Sequence, residues 1–203
     1  MADATKRLLG LLGTDRPDPA LIAEHLDGLG TAEAIAAVRA LSGRRLQKRL
    51  WTASAANPRI TTADLVPPDY APMRPVVFHG KNSLPLFTEF EKICCRPPNG
   101  AASGELWGYN EGPTRSWIGP GYYITHDSPG AELGGTVFDY TRIPERGCPG
   151  WPEPRPNERG VSRLVYSGML DYMRRVAANV FIGSATKKDR EMDSYFAVVR
   201  ESI

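Results

Sequence analysis

The feature that most constrains this chain is a series of short strand-like segments in its second half. From Gly104 onward, runs of Trp, Tyr, Ile and Val are separated by clusters of Gly, Pro and Asn. This pattern is typical of antiparallel strands joined by turns. About seven or eight segments follow one another with a turn roughly every ten residues, and that spacing favours a barrel or sandwich over a parallel sheet.

Turn residues delimit the individual segments. A first short strand at 76–78 ends at Gly80, and Ser83 can cap a short helix near 84–94. Later strands are predicted at 104–110, 115–118, 121–125, 137–142, 162–167, 178–185 and 194–201. Residues 169–176 fit either a strand or a single helical turn. The Pro-rich stretch 144–160 predicts a long loop, and loops of this length are often functional or mobile.

Alternation within the strands gives each one two faces. Phe138, Tyr140 and Arg142 share one side of their predicted strand. In a small barrel, the inward-facing set fills the core or lines a cavity. The segment 161–203 therefore predicts a closed or strongly curved antiparallel sheet with side chains that face an interior.

The first sixty or so residues predict helices. Asp18 followed by Pro19 is an N-cap with proline in the first turn. Thr31 can cap a second helix, and Gly43 weakens its middle. The predicted fold class is therefore α+β: a helical segment over 1–57 packed on an antiparallel β-barrel domain over 58–203.

Composition and charge exclude several function classes. The chain has 203 residues and a net charge of only +2, so no strong field favours nucleic acid or an anionic membrane surface. No apolar run approaches the roughly 20 residues of a membrane span, and no secretory signal precedes the helices. The three cysteines are read as reduced thiols, which makes the cytoplasm the expected location.

A family resemblance covers roughly the last hundred residues. The motifs that carry it are Trp117–Tyr122, Phe138–Tyr140, Asp171–Val176, Ile182–Ala185 and Tyr195–Arg200. Together they resemble calycin-type barrels, the lipocalin, fatty-acid-binding and nitrobindin-like proteins. The resemblance implies a hydrophobic ligand, or haem in the nitrobindin-like branch, although the terminal strands contain no histidine that could ligate it. We predict no resident cofactor.

The candidate ligand-binding residues are aromatic side chains of the middle strands together with two arginines. Tyrosine hydroxyls or an inward arginine would need buried partners, which a bound carboxylate or amide would supply. Plain core packing, or ordinary ion pairs of these arginines with Asp139 or Asp171, is the structural alternative. The set is Trp107, Tyr109, Trp117, Tyr122, Tyr140, Tyr166, Tyr172, Arg142 and Arg174.

A second candidate site lies at the end of the first predicted strand. There a helix N-terminus near Ser83, with Lys81 beside it, could hold an anion. His79, or Tyr140 elsewhere, is the candidate general acid or base. A structural role for Ser83 as a cap and for His79 in a turn is the alternative we favour.

The remaining polar motifs indicate structure rather than chemistry. His25 lies on an apolar helix face, and His126 could pair with Asp127 at a barrel rim. Ser184 and Lys187 match the Ser-x-x-Lys pattern of serine acyl enzymes, but Ser184 ends a strand where that mechanism needs a helix. The cysteines and histidines have no standard zinc spacing, so no metal site is predicted.

Three hypotheses of function follow. The first is a binder of a small, largely apolar molecule that carries one polar or anionic group. The second is a cofactor-independent biosynthetic enzyme (a cyclase, isomerase or hydrolase) on the same barrel. The third is a peptide- or protein-interaction module that docks a partner through residues 144–160 and the helical segment.

Overall fold

The second half of the chain closes a single antiparallel sheet on itself. The structure, a computed structural model, describes residues 2–85, 88–98, 104–188 and 190–203. Within these residues eight strands form a barrel in chain order, and β1 pairs with β8 to complete it. The strands are β1 (Val76–Asn82), β2 (Glu89–Cys95), β3 (Leu106–Glu111), β4 (Tyr123–Asp127), β5 (Thr136–Asp139), β6 (Met169–Arg175), β7 (Val180–Lys187) and β8 (Arg190–Arg200). The predicted α+β fold class is thereby confirmed.

Helices precede the barrel and also interrupt its loops. The N-terminal helices are α1 (Ala2–Gly13), α2 (Pro19–Asp27), α3 (Thr31–Arg39) and α4 (Arg44–Ala53), followed by a 3₁₀ turn at Ser54–Ala56. Three one-turn helices come later within the described residues: α5 (Thr62–Leu65), α6 (Arg115–Ile118) and α7 (Ser162–Val165). No helix of the described residues is long and apolar enough to cross a bilayer.

The N-terminal helices cover one outer wall of the barrel. Leu8, Leu26 and Leu50 of these helices pack against Val180 and Ala197 on the outward faces of β7 and β8. The Asp18 carboxylate accepts hydrogen bonds from the first turn of α2, as its position before Pro19 predicts. Gly43, with φ 78°, separates α3 from α4, because a glycine tolerates this left-handed conformation.

The segment between the helices and β1 closes one end of the barrel. Ile60, Leu65 and Val66 are buried in the same core as the inward side chains of the strands. This closing segment, residues 58–75, is fastened to the ends of the even-numbered strands, which all finish at this end. The Arg175 guanidinium lies 2.5 Å from the Asp64 carboxylate, and the Thr62 amide donates to Asp127 at 2.6 Å. Arg96 and Arg200 donate to backbone carbonyls of the segment.

Three predicted elements are wrong, each for a local reason. Residues 89–95 of the predicted 84–94 helix form β2, because their side chains alternate between core and surface; Leu86 and Phe87 lie outside the described residues. The predicted strands at 115–118 and 162–167 instead contain the one-turn helices α6 and α7 at the opposite, open end. Strand β1 also continues through Gly80, where a break was expected.

Glycines inside the barrel make room for aromatic rings. Gly80, Gly108 and Gly183 lie directly opposite Phe90, Tyr123 and Phe196 on the neighbouring strands. A Cβ on Gly80 would come within 2.6 Å of the Phe90 ring. The rings therefore lie flat over bare backbone, a known way to rescue strand glycines.

Candidate functional site

A polar cluster occupies the interior, formed by one side chain from each of three strands. Lys92 of β2, Asn110 of β3 and Asp171 of β6 each stand two or four residues from an apolar residue of the same strand (Cys94, Leu106 or Met173) that faces the core. Because every second side chain of a strand points to the same face, this spacing places the three polar groups inside. The inner faces of three separate strands thus converge on one point.

Hydrogen bonds join this polar cluster to Tyr140, which directly follows β5. The Lys92 ammonium donates to Asp171 Oδ2 at 3.0 Å, to Asn110 Oδ1 at 3.2 Å and to the Tyr140 hydroxyl at 2.5 Å. The Tyr140 hydroxyl lies 3.0 Å from the same Asp171 oxygen. A protonated lysine has three N–H donors, so each donor of Lys92 has an acceptor.

Aromatic rings surround the ammonium group. Among the described residues, five ring centroids lie between 4.7 and 5.8 Å from Lys92 Nζ. Ring faces attract a cation, and the attraction grows when water is excluded. The rings belong to Phe90, Tyr123, Phe138, Tyr140 and Phe196.

Burial dominates the electrostatics of the cluster. Lys92 is 2% exposed and Asp171 is 3% exposed. Desolvation lowers the pKa of Lys92 from its ordinary value, and the nearby Asp171 carboxylate opposes this change. Burial, with the Asp171 charge as a second cause, raises the pKa of Tyr140 well above its ordinary value. Tyr140 is therefore a neutral hydrogen-bond donor at physiological pH.

A cavity of about 390 Å³ extends from the polar cluster to the open end of the barrel. Its volume falls in the range of small-molecule sites. Lys92, Asn110, Tyr140 and Asp171 line its floor, and Phe90 and Phe196 belong to its wall. The rim carries apolar side chains from the loops and strand ends at the open end: Leu84, Ile118, Leu164 and Met192.

Of the predicted ligand-binding residues, the structure brings two into this cavity. Tyr140 and Tyr166 stack with their ring centroids 5.3 Å apart and an interplanar angle of 10°, and both line the cavity. Burial raises the pKa of Tyr166 to about 12. Both tyrosines are therefore un-ionised groups that offer a ligand a ring face and a hydroxyl.

The other predicted aromatic residues lie outside the cavity lining. Tyr109 and Tyr122 pack against Trp151 of the long loop, with centroid distances of 5.0 and 6.3 Å. Tyr172 packs against the core beneath the N-terminal helices. Trp117 is 85% exposed on α6. Trp107 lies on the opposite face of β3 from Leu106 and Gly108, so it faces away from the interior.

Neither predicted arginine enters the barrel. Arg142 extends beyond the end of β5 and forms an exposed ion pair with Glu105 at 2.7 Å. Arg174 lies on the outer face of β6, where its guanidinium is 3.8 Å from the centre of the Trp51 ring and donates to the Leu133 and Trp51 carbonyls. The expectation of an arginine inside the barrel is therefore wrong, and among the described residues Lys92 supplies the cation of the polar cluster.

The predicted anion site near Ser83 is not formed. No helix begins there in the described residues; instead the Ser83 hydroxyl accepts from the Tyr195 amide at 2.9 Å. Lys81 faces outward from β1 and donates to the Thr88 hydroxyl at 2.7 Å. His79 also faces outward, with Nε2 2.7 Å from Glu201 Oε1. The His79 and Tyr140 candidates therefore lie on opposite sides of the barrel wall.

The remaining candidates have structural surroundings. His25 Nε2 lies 2.8 Å from the Ala4 carbonyl oxygen, which ties α2 to α1. His126 Nδ1 lies 3.2 Å from the Asp127 carbonyl oxygen, while the carboxylate of Asp127 binds the Thr62 amide. The sulfur of Cys148 in the long loop lies 2.6 Å from the sulfur of Cys95 at the end of β2. No metal-binding group of His, Cys, Asp or Glu exists among the described residues.

Sequence reasoning missed Lys92, Asn110 and Asp171. The sequence signal is a polar residue at a position that the strand alternation assigns to the apolar face, such as Lys92 between Phe90 and Cys94. An isolated polar side chain at an inward position must find buried partners, and several such positions in one barrel find each other.

Comparison with known protein families, with curated proteins and with solved structures finds no match for this chain. The cavity and its polar cluster are therefore interpreted from their own geometry.

Proposed function

We propose that this protein binds a small, largely apolar molecule with one polar group inside its barrel. The observation that carries the proposal is the cavity of about 390 Å³ whose floor is the Lys92–Asp171 pair and whose wall includes aromatic rings. Concave apolar sites with a few convergent polar groups are the usual form of ligand pockets. A relationship to calycin-type barrels, which the closed antiparallel sheet allows, is part of the same proposal.

The charge balance of the floor favours a neutral polar group over an anion. The positive charge of Lys92 is matched by Asp171 at 3.0 Å, and its other donors already bond Asn110 and Tyr140. A ligand carboxylate at the floor would lose hydration and lie close to the Asp171 carboxylate, an unfavourable arrangement. A hydroxyl or carbonyl group can join the hydrogen bonds without adding charge.

The test compares two ligands that differ only in this group. 2-Naphthylmethanol and 2-naphthoate are titrated into the protein at pH 7.5 while naphthalene fluorescence is recorded. We expect the alcohol to bind at least about ten-fold more tightly than the acid, which corresponds to about 1.4 kcal/mol. Tighter binding of the acid would refute the neutral-group assignment.

A pair of matched variants locates the binding site. Ala185 lines the cavity, so Ala185→Phe should fill part of it and abolish binding of the alcohol. Ala71→Phe places the same ring on an exposed residue of the segment at the closed end and should leave the affinity unchanged. Equal loss in both variants, or no binding to the folded wild-type protein, would contradict the proposal.

A further inference from the structure

We infer that Lys92 captures an aldehyde ligand covalently, as an imine held on the floor of the cavity. This inference rests on the proposed function, because the aldehyde must first enter the barrel. It names the class of ligand for which an amine, rather than a mere hydrogen-bond donor, is useful at this position.

The geometry supplies the groups that imine formation requires. Lys92 lines the cavity, so a ligand that reaches the floor lies beside its side chain. Asp171 Oδ2 lies 3.0 Å from Nζ and Tyr140 donates to the same oxygen. A carboxylate at this distance can accept and return protons. While Asp171 holds a proton, the Tyr140 hydroxyl, 2.5 Å from Nζ, can turn its one O–H to the carbonyl oxygen and stabilise the charge that develops there.

The reaction balances without an oxidant or a further reactant. The ammonium group passes one proton to Asp171, and the neutral amine attacks the carbonyl carbon, so that a C–N bond forms as the C=O double bond becomes a single bond. Asp171 then relays protons from nitrogen to the oxygen, which leaves as water while the nitrogen lone pair forms the C=N bond. The products are one water molecule and a protonated imine paired with the Asp171 carboxylate; hydrolysis reverses the sequence.

The surroundings of Lys92 favour this role over that of a surface lysine. Burial lowers the pKa of Lys92 and so increases the fraction of neutral, nucleophilic amine. The aromatic rings around Nζ stabilise a cation of either kind. Because a protonated imine keeps the positive charge of the ammonium, the ion pair with Asp171 is preserved after the aldehyde has reacted.

The experiment is reductive trapping of the full-length protein. 2-Naphthaldehyde and sodium cyanoborohydride are added at pH 7.5, and intact mass and peptide mapping identify the modified residue. We expect one adduct on Lys92, with the mass of the aldehyde less one oxygen atom. Labelling should be at least about ten-fold faster than at any other lysine, because the cavity holds the aldehyde beside the amine.

The controls are two variants and a competition experiment on the wild-type protein. Lys81→Met removes a lysine from the outer face and should leave Lys92 labelling unchanged. Lys92→Met combined with Asp171→Asn should abolish the fast phase, and its melting curve verifies that the protein folds. In the wild-type protein, excess 2-naphthylmethanol should protect Lys92, which tests the site without any substitution.

The outcomes separate this inference from the proposed function. Binding of the alcohol without an adduct on Lys92 overturns covalent capture and leaves the binding proposal intact. Adducts spread over exposed lysines, with Lys92 unmodified, also overturn it. If the alcohol does not bind at all, the proposed function fails, and capture inside the cavity fails with it.

Discussion

The buried pair Lys92–Asp171 should show a large and strongly non-additive effect on stability. Both side chains are almost fully buried, with 2% and 4% of their surface exposed. Lys92→Met leaves the Asp171 carboxylate in the core without its cation and removes three hydrogen bonds. Breaking a buried ion pair from one side typically costs about 3 to 5 kcal/mol, and we expect that loss in the free energy of unfolding.

The reverse single change and the double change complete the cycle. Asp171→Asn should destabilise by a similar amount, because it leaves the ammonium unpaired. The double variant removes both charges, and since charge-free replacements of buried pairs are often nearly neutral, its loss should be only about 0 to 2 kcal/mol. The sum of the losses in the two single variants would then exceed the loss in the double variant by several kcal/mol.

Urea denaturation at 25 °C and pH 7 measures each variant, with fluorescence and circular dichroism as independent probes. Strict additivity would refute the reasoning, because it would mean that the two side chains do not interact in the folded protein. A loss below about 1 kcal/mol for Lys92→Met would refute it too, since that is the scale of exposed ion pairs.

Three further predictions concern single positions. Gly80→Ala should lower the free energy of unfolding by about 1 to 3 kcal/mol and weaken binding of 2-naphthylmethanol, because the new Cβ would lie 2.6 Å from the Phe90 ring. Gly112→Ala, whose new Cβ would have its nearest contact at 3.6 Å, is the near-neutral control for stability in the same urea titration. Tyr140→Phe should cost about 1 to 3 kcal/mol by the same assay, because Lys92 and Asn110 lose a buried partner; an unchanged midpoint would contradict the hydrogen-bonded cluster. The pKa of Asp193 is lowered from 3.8 to about 2, chiefly by its hydrogen bond to Lys48. The stabilisation by the ionised carboxylate is therefore complete above pH 3.8 and is lost as the pH falls toward 2. Asp193→Asn should remove that part of the pH dependence of the melting temperature, and an acid profile identical to that of the wild-type protein would contradict this prediction.

The barrel could be predicted because its strands carry their own signals. Residues 178–185 and 194–201 have β-branched and aromatic side chains between small or charged breaks, and their parts 180–185 and 194–200 lie in β7 and β8. The cap at Asp18 is likewise local. By contrast, Trp117 and Ile118 look like strand residues, but they belong to one helical turn at the open end. A run of four residues has no period that distinguishes the two structures.

The site was harder to predict because it depends on long-range closure. Phe90 and Ile93 have helical spacing, which hid the alternation that turns Lys92 inward. The alternation of Phe138 and Tyr140 predicts an inward Arg142, but β5 ends at Asp139, so the pattern does not reach it. Tyr140, a candidate from the sequence, lines the cavity, but its partners come from strands distant in sequence, and no local pattern specifies them.

The closing segment at residues 58–75 has a consequence for kinetics. Since Ile60, Leu65 and Val66 fill one end of the barrel, a ligand bound as we propose would enter and leave at the open end. The rim there includes Leu164, which belongs to the long connection between β5 and β6, so residence time should follow the motion of these loops more than the strength of any one contact. Without this segment the barrel would be open at both ends. With it, the rate of ligand release should depend on the open end alone.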